Sequence, residues 1–423
     1  MRILIDPGQY DLARPNLGCL AVLQGAVRRI QMVEPSAQVL ILTETPDDLL
    51  RHLPGCRPVL VDLDWPWYSD RWLLGGLHRY LPRSTVGWSH RLRSALCDWS
   101  PELLGTLMTQ RLRVARNNPS AFRHMLETIQ SADIILVTGL GGLRNIETNV
   151  LQTLEIASAL DKPTAMLGLG LDGQQSPWLW HRVQRVLPKI GLIALRENRT
   201  GPALLAKAGV SQQRVRITGD DAVELAFAES RSETGIEVGV NVRVMASAGV
   251  TEESVRSIAP VLHDFARQFG VRLLPLPSAN HIRTGDSASI RLLLAGWDDR
   301  SDGGIHLETP LEVIRETSRC RLVVTGAYHV AVYALAQGIP AVCLHHSDYF
   351  ENKMRGLSEM FPGGAQLVSL HEDNLLSRLQ GALHWAWHFQ GRDRLLRSAE
   401  SQVQAGRAAC REALSQARKK LAA

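Results

Sequence analysis

Residues 321–357 read RLVVTGAYHVAVYALAQGIPAVCLHHSDYFENKMRGL, and this stretch decides the fold class. It begins with a β-branched run, Leu322-Val323-Val324, which is typical of a strand buried on both faces. After the turn at Thr325-Gly326, apolar residues recur at helical spacing until Gly338-Ile339-Pro340 ends the helix. The apolar run at 341–344 then predicts a second strand. A strand, helix and strand in this order indicate a parallel α/β sheet.

The same stretch predicts where a ligand binds. Tyr328 and His329 fall in the first turn of the predicted helix, above the carboxyl end of the first strand. Lys353 follows the second strand and belongs to the same rim. Open α/β sheets bind ligands at this edge, and the N–H groups at a helix start favour anions. We therefore expect an anion-facing site around these three side chains.

The alternation of short buried strands with helices extends over the whole chain. It predicts an α/β protein with two doubly wound Rossmann-like domains facing across a cleft. We expect an N-terminal domain over 1–228, a C-terminal domain over 236–390 and a long helix over 391–423, with the polar segment 229–235 as the linker. A Trp-rich insertion at about 64–118 interrupts the alternation.

The predicted strands, in chain order, are Arg2–Asp6, Gln38–Thr43, Pro58–Leu63, Ile134–Val137, Pro163–Leu167, Leu192–Leu195, Val215–Thr218, Val238–Arg243, 271–276, 304–307, Leu322–Val324 and Ala341–Leu344.

Composition limits the functional classes. The chain has 423 residues with 45% hydrophobic residues, which suits an ordinary globular protein. No apolar run reaches the roughly 18 residues that a membrane span needs, and the sequence enters a strand at once, so we expect a cytoplasmic protein. The six cysteines form no Cys-x-x-Cys pair, so neither a disulfide framework nor a zinc site is predicted. A net charge of +5, spread evenly, is weak evidence for nucleic-acid binding and fits small anionic ligands equally well, and we expect no nucleic-acid partner.

Two further segments combine a strand end with residues that suit anion binding. Near the start, Asn16 can cap a helix, and Gly18 gives a ligand access to its free N–H groups. After the strand at 134–137, the loop containing Gly141 and Gly142 suits close backbone approach to an anion, as does Gly168 after the next strand. The loop lacks the Gly-Lys-Ser/Thr of a phosphate-binding P-loop.

Several short segments occur along the chain in a definite order and spacing: Asn16-Leu17-Gly18, the glycine loop at 139–142, Arg196 to Thr200, Asp220-Asp221-Ala222, Asn241-Val242-Arg243, Gly326, His329, Gly338, Pro340 and Lys353. Together they resemble the polysaccharide pyruvyl transferase family, from the first strand to about residue 360. Ala327 and Cys19 stand where the family usually has Arg and Asp.

The resemblance implies a GT-B-like fold and an enzyme that transfers pyruvyl from phosphoenolpyruvate to a sugar of a cell-surface or extracellular polysaccharide, as a cyclic ketal. Arg196 would bind the donor anion, and His329 would bind it or act as general acid. Tyr328, Arg243 and Lys353 would support donor binding. Phosphoenolpyruvate is a co-substrate, and no cofactor or metal is implied. The acceptor would be a carbohydrate or a lipid-linked saccharide.

Two alternatives remain open on the sequence. A GT-B-type glycosyltransferase would use the same two domains with a nucleotide-sugar donor, and the substitutions at Ala327 and Cys19 would then mark the change of donor. A non-catalytic sugar-binding relative would have kept the fold and lost the donor clamp. Homo-oligomerisation is compatible with either.

Overall fold

The structure is a computed structural model, and it describes residues 1–13, 15–62, 84–114, 118–139, 148–171, 177–244, 250–279 and 285–422. The chain forms two compact units. The first unit comprises Met1–Ala13, Ala26–Thr218 and Gly406–Ala423, and the second comprises Arg14–Gly25 and Gly219–Ala405. Residues 64–83 and 115–117 of the predicted Trp-rich insertion lie outside the described residues, and 84–114 form two helices.

The first unit is built on a sheet of parallel strands in the order β3-β2-β1-β4-β5-β6-β7. Six of these follow the order of dinucleotide-binding Rossmann sheets, whose direction of winding reverses between β1 and β4. The strands are β1 Arg2–Asp6, β2 Gln38–Thr43, β3 Arg57–Leu60, β4 Ile134–Val137, β5 Thr164–Leu169, β6 Leu192–Leu195 and β7 Val215–Ile217.

Helices cover the faces of this sheet because buried parallel strands need an apolar partner on each side. They are the part of α1 Leu17–Val33 after Gly25, α2 Pro46–His52, α3 Ser84–Trp99, α4 Pro101–Val114, α5 Pro119–Ser131, α6 Thr148–Ala159, α7 Pro177–Val186 and α8 Gly201–Lys207, with short 3₁₀ helices at Leu187–Lys189 and Gln212–Arg214.

The second unit contains a parallel sheet in the order β12-β11-β10-β8-β9. This is the other common doubly wound order, and its winding reverses between β8 and β10. The predicted α/β class with two Rossmann-like units is therefore confirmed. The strands are β8 Glu237–Asn241, β9 Leu273–Pro275, β10 Cys320–Thr325, β11 Ala341–His345 and β12 Ala365–Ser369.

The helices of the second unit include one that is buried throughout. Every residue of α13 Tyr328–Ala336 is buried, so this helix lies in the core of the unit. The others are α9 Val223–Ala228, α10 Glu252–Phe269, α11 Asp286–Leu294, α12 Pro310–Thr317, α14 Asp348–Met360, α15 Leu375–Trp387 and the part of α16 Arg392–Ala422 before Gly406.

One predicted strand is wrong and one strand was missed. Residues 304–307 form a turn, because Gly303 and Gly304 both adopt positive φ and the Asp302 carboxylate accepts the N–H groups of Gly304 and His306. The fifth place in the sheet is taken by β12, which was not predicted. Its residues are only half-buried apart from Val368, so its apolar pattern is weak.

The unit boundary also differs from the expected one. We expected the first domain to end near residue 228, before the polar linker. The second unit instead begins at Gly219, because α9 packs its buried Val223 and Ala226 into the same apolar cluster as α13. The long terminal helix runs over Arg392–Ala422, close to the expected 391–423, but its residues divide between the units at Gly406.

No helix in the described residues is both long and apolar enough to cross a membrane.

A buried ion cluster joins three helices of the first unit. Glu155 on α6 accepts two hydrogen bonds of 2.8 Å from Arg182 on α7 and one of 3.0 Å from Ser94 on α3. Burial acts to raise the pKa of Glu155, but the neighbouring charges of Arg182 and Arg93 and these hydrogen bonds outweigh it and lower the pKa to about 2. The cluster therefore fixes how these helices pack.

Substitution of Glu155 by Gln should lower the free energy of unfolding by about 3–5 kcal/mol, since it leaves buried arginine without its counter-charge. Because the folded pKa lies below the usual 4.5, the wild-type carboxylate stabilises fully above pH 4.5, and that stabilisation falls as the pH drops towards 2. Urea denaturation measured across this range checks both points, and Glu155→Gln should show the weaker acid dependence. The control is Glu252→Gln, which removes an exposed pair with Arg256. An equal loss in both variants would contradict the account.

Candidate functional site

The candidate site lies at the carboxyl edge of the second sheet, where its winding reverses. Strands β8 and β10 pair in register there, with Asn241 opposite Thr325 at their ends. Ligands of doubly wound sheets bind in the crevice beside such a reversal. The segments that leave these two strands carry Arg243 and His329, so the topology brings two predicted site residues to the same edge.

A tight turn connects β10 to α13 and sets the position of His329. The Gly326 N–H donates to the Asn241 carbonyl at 2.9 Å, and the Thr325 hydroxyl oxygen accepts the Ala327 N–H at 2.9 Å. Ala327 is the N-cap of α13, so Tyr328 and His329 occupy its first turn, as predicted. Ala327 fills the place where the family usually has Arg, and it packs against the apolar cluster around α13.

The His329 imidazole is buried between a glycine and a carboxylate. A Cβ atom on Gly18 would lie 1.9 Å from Nδ1 of His329, so the ring rests against the bare backbone at the start of α1. On the other side, Nε2 of His329 lies 3.8 Å from Oδ2 of Asp220, whose side chain is also buried. A carboxylate at this distance favours the protonated imidazolium.

The start of α1 is closed to ligands by its own contacts, which corrects the expected role of Gly18. The Asn16 side chain accepts the N–H groups of Gly18 and Cys19 at 2.9 and 3.3 Å, as a helix cap does. The N–H of Leu17 donates to the Ser278 carbonyl at 2.9 Å. The expected free N–H groups at 17–19 therefore have protein partners. Gly18 serves instead as the space into which the imidazole fits.

A buried hydroxyl also connects α13 to α1. The Tyr333 side chain donates to the Leu17 carbonyl at 3.4 Å, across 316 positions of the chain. Burial raises the pKa of Tyr333 well above 10, and the Asp220 carboxylate acts in the same direction. Tyr333 thus remains a protonated donor. This contact and the Gly18 contact together hold the start of α1 against α13.

Tyr328 and Lys353 form a second pair at the same edge. The Lys353 ammonium lies 4.8 Å from the centre of the Tyr328 ring and 5.8 Å from that of Tyr349, within the range of cation–π attraction. The Tyr328 ring meets the His329 ring edge-on, with centres 5.3 Å apart. Lys353 therefore places a positive charge beside the residue that precedes His329.

Arg243 is held by a buried carboxylate on the other side of the reversal. Its Nε forms an ion pair with Oδ1 of Asp286, whose side chain is fully buried. Oδ2 of Asp286 accepts a hydrogen bond of 2.9 Å from the Asn241 amide, which also donates to the Leu276 carbonyl at 2.8 Å. The Arg243 side chain is about a quarter exposed.

Arg196 and Gly168 lie in the first unit, at the carboxyl edge of the other sheet. Arg196 directly follows β6, and its side chain is buried. A Cβ atom on Gly170 would lie 2.5 Å from a guanidinium nitrogen of Arg196, so Gly170 gives the arginine its room. Gly168 adopts positive φ inside β5, where the pairing with β6 shifts register. Gly141 and Gly142 lie outside the described residues.

Sequence reasoning missed three residues of these sites: Asp220, Asp286 and Gly170. Asp220 belongs to the matched Asp220-Asp221-Ala222 segment, and this motif was the available signal for it. Asp286 begins an ordinary helix, and nothing in the local sequence marks it. The described residues contain no group of three or more His, Cys, Asp or Glu side chains able to hold a metal ion.

The chain is similar to a known protein family in sequence and to solved structures in fold. The model of the family described as polysaccharide pyruvyl transferase matches residues 16–348. Comparison of the sequence with curated proteins finds no match. The fold is similar to UDP-GlcNAc 2-epimerase from Neisseria meningitidis bound to UDP-GlcNAc, with a TM-score of 0.52 and 11% identity over 99% of this chain and 100% of that one.

Two other solved structures share the fold. UDP-GlcNAc 2-epimerase from Methanocaldococcus jannaschii has a TM-score of 0.52 and 12% identity, over 92% of this chain and 94% of that one. The glycotransferase of kitacinnamycin has a TM-score of 0.50 and 11% identity, over 96% and 97%. At these identities the likeness shows a fold of the GT-B type, with two α/β domains, and nothing about ligands.

Substitution of Gly18 by Ala should lower the free energy of unfolding by about 1–3 kcal/mol, because the new methyl group overlaps the His329 ring. Chemical denaturation measures this loss. Gly381→Ala is the control, since a Cβ there meets no atom within 4 Å and α15 should gain stability. In a His329→Ala background the Gly18→Ala cost should largely vanish. A cost that persists there would show that the ring is not what occupies this space.

Proposed function

Because the chain belongs to the polysaccharide pyruvyl transferase family, we propose that this transferase moves the pyruvyl group of phosphoenolpyruvate onto two hydroxyls of a saccharide, forming a cyclic ketal. The saccharide would be part of a cell-surface or extracellular polysaccharide, or of its lipid-linked precursor. The match over residues 16–348 supports the reaction class. The donor and the product are our assignment.

The proposed chemistry balances without an external oxidant or reductant. Both hydroxyl oxygens of the acceptor form bonds to C2 of the donor, and the bond from C2 to the phosphate oxygen breaks. The two hydroxyls lose two protons. One of these is balanced by the proton delivered to C3, which converts the methylene to a methyl group, and the other leaves with inorganic phosphate. The protein must therefore supply a proton donor at C3 and cations for the carboxylate and phosphate.

The observation that carries the proposal is the buried pair of His329 and Asp220 at the edge where the second sheet reverses its winding. The carboxylate, 3.8 Å from Nε2, favours an imidazolium, which can donate a proton or bind an anion. Lys353 and Arg243 bring positive charge to the same edge of the sheet. This combination suits a donor that is a strong anion and must be protonated in the reaction.

Two roles for His329 follow, and they differ in what its removal changes. As the general acid, it would protonate C3, and its loss would slow the chemical step. As an anion ligand, it would bind the donor phosphate or carboxylate, and its loss would weaken binding while turnover at saturation continued. We favour the acid role, because Ala327 leaves His329 with one cation fewer nearby than the family pattern has.

Arg196 is assigned to the donor anion on the resemblance. Its support in the structure is that the side chain is buried and that the guanidinium lies against Gly170, which restricts its orientation. Gly168, which adopts positive φ where β5 shifts register against β6, lies two residues before Gly170.

The experiment supplies phosphoenolpyruvate and a panel of p-nitrophenyl hexosides in D₂O and follows the products by NMR. The proposal predicts a new ketal methyl group that carries deuterium and an equal amount of inorganic phosphate. A parallel reaction supplies nucleotide sugars in place of phosphoenolpyruvate, and if these are consumed instead, the protein is a glycosyltransferase. If the protein binds saccharides but consumes neither donor, it is a sugar-binding relative.

Substitution of His329 by Gln should reduce kcat by about 10²–10⁴-fold, the usual contribution of a general acid, with KM for the donor nearly unchanged. Asp220→Asn should lower the pH above which activity is lost, because the imidazolium loses its neighbouring anion. Steady-state kinetics across pH measures both effects.

The matched controls are His306→Gln and Asp302→Asn, which alter an exposed His–Asp pair of the same unit. Both should leave the kinetics unchanged. A His329→Gln enzyme with full kcat and a raised KM would exclude the acid role, and one with unaltered kinetics would exclude both roles.

A further inference from the structure

The Asp286 carboxylate holds four groups at the edge of the second sheet. It is the first residue of that helix, and its side chain is fully buried. Its two carboxylate oxygens contact different groups. Oδ1 pairs with Nε of Arg243, whereas Oδ2 accepts the Asn241 amide at 2.9 Å and the N–H groups of Ser278 and Ala279 at 2.6 and 3.2 Å.

The pairing through Nε decides what Arg243 can offer. An arginine fork has five N–H donors, and a contact at Nε leaves the two terminal nitrogens for another acceptor. About a quarter of this side chain is exposed. A carboxylate or a phosphate matches the remaining pair of donors. Asp286 thus fixes the plane of the guanidinium without using the atoms that suit an anion.

Oδ2 of Asp286 is connected to the His329 side of the site by the backbone of residues 278 and 279. Ser278 and Ala279, which donate to Oδ2, are also the residues that hold the start of α1. Ala279 forms an antiparallel bridge with Asn16, and the Ser278 carbonyl accepts the Leu17 N–H. The next residue, Gly18, is the one against which the His329 ring rests. One carboxylate therefore supports both flanks of the reversal.

We propose that Asp286 is the positioning residue of the anion site: it orients Arg243 towards the donor anion and, through residues 278 and 279, seats the start of α1 against His329. The ligand group that Arg243 would bind is a carboxylate or a phosphate, and phosphoenolpyruvate carries both. This inference rests on the proposed function, since it assigns Arg243 to that donor.

The test is a double-mutant cycle on binding, with phosphoenolpyruvate, pyruvate and inorganic phosphate as separate calorimetric probes. Asp286→Asn removes only the contact with Arg243. An amide oxygen in the place of Oδ2 still accepts the three hydrogen bonds from residues 241, 278 and 279. Asp286→Asn and Arg243→Gln should each weaken phosphoenolpyruvate binding roughly tenfold, and the double variant should be no weaker than Arg243→Gln alone. The probe whose affinity falls in parallel identifies the group that Arg243 binds.

If circular dichroism shows that Asp286→Asn does not fold, Arg243→Lys tests the same proposal. A lysine has one donor group, which cannot serve both Asp286 and an anion, so Arg243→Lys should lose as much affinity as Arg243→Gln. The matched control is the exposed pair of Asp264 and Arg267, where Asp264→Asn and Arg267→Lys should change nothing.

The outcomes separate the two claims. Losses that add in the double variant, or full affinity in Arg243→Lys, overturn the role of Asp286 while leaving the proposed function intact. A wild-type protein that binds none of the three probes overturns the proposed function and the inference together.

Discussion

The contact between the His329 ring and the backbone of Gly18 is the constraint on which the candidate site depends. The ring can occupy its position only because residue 18 has no side chain. That contact requires the start of α1 to stay beside the first turn of α13, although the two segments lie at opposite ends of the chain. The Asn16 cap, the Tyr333 hydroxyl and the backbone at 278–279 hold it there. Each of these groups belongs to the second unit.

The strands were predictable where burial alone specifies them. Runs such as Ile134–Val137 and Leu192–Leu195 are buried at every position, and their bounds follow directly from the apolar pattern. The pattern failed at the outer part of the second sheet. A turn was mistaken for a strand at 304–307, because local sequence cannot show that Asp302 will bond to the backbone around Gly304. β12 escaped because an edge strand is less buried and so less apolar.

The site was predictable only where its geometry depends on neighbouring residues in the sequence. The strand, turn and helix around His329 are local, and their geometry followed from the spacing of Gly326 and Gly338. The partners of the predicted residues are distant in sequence. Asp220 and Asp286 reach His329 and Arg243 only through the packing of the sheet and its helices. The N–H groups at the start of α1 were expected to be free for the same reason, since their partner Ser278 could not be foreseen.

The central claim is that the donor anion binds to the protonated form of His329 beside Asp220, so that slightly above neutral pH the ring takes up a proton on binding. Calorimetric titration of phosphoenolpyruvate, slightly above neutral pH and in two buffers of different ionisation enthalpy, counts the protons taken up on binding. The account predicts uptake by the wild-type protein that is absent in His329→Gln. Binding with equal proton uptake in both proteins would contradict it, as would the absence of any binding to the wild type.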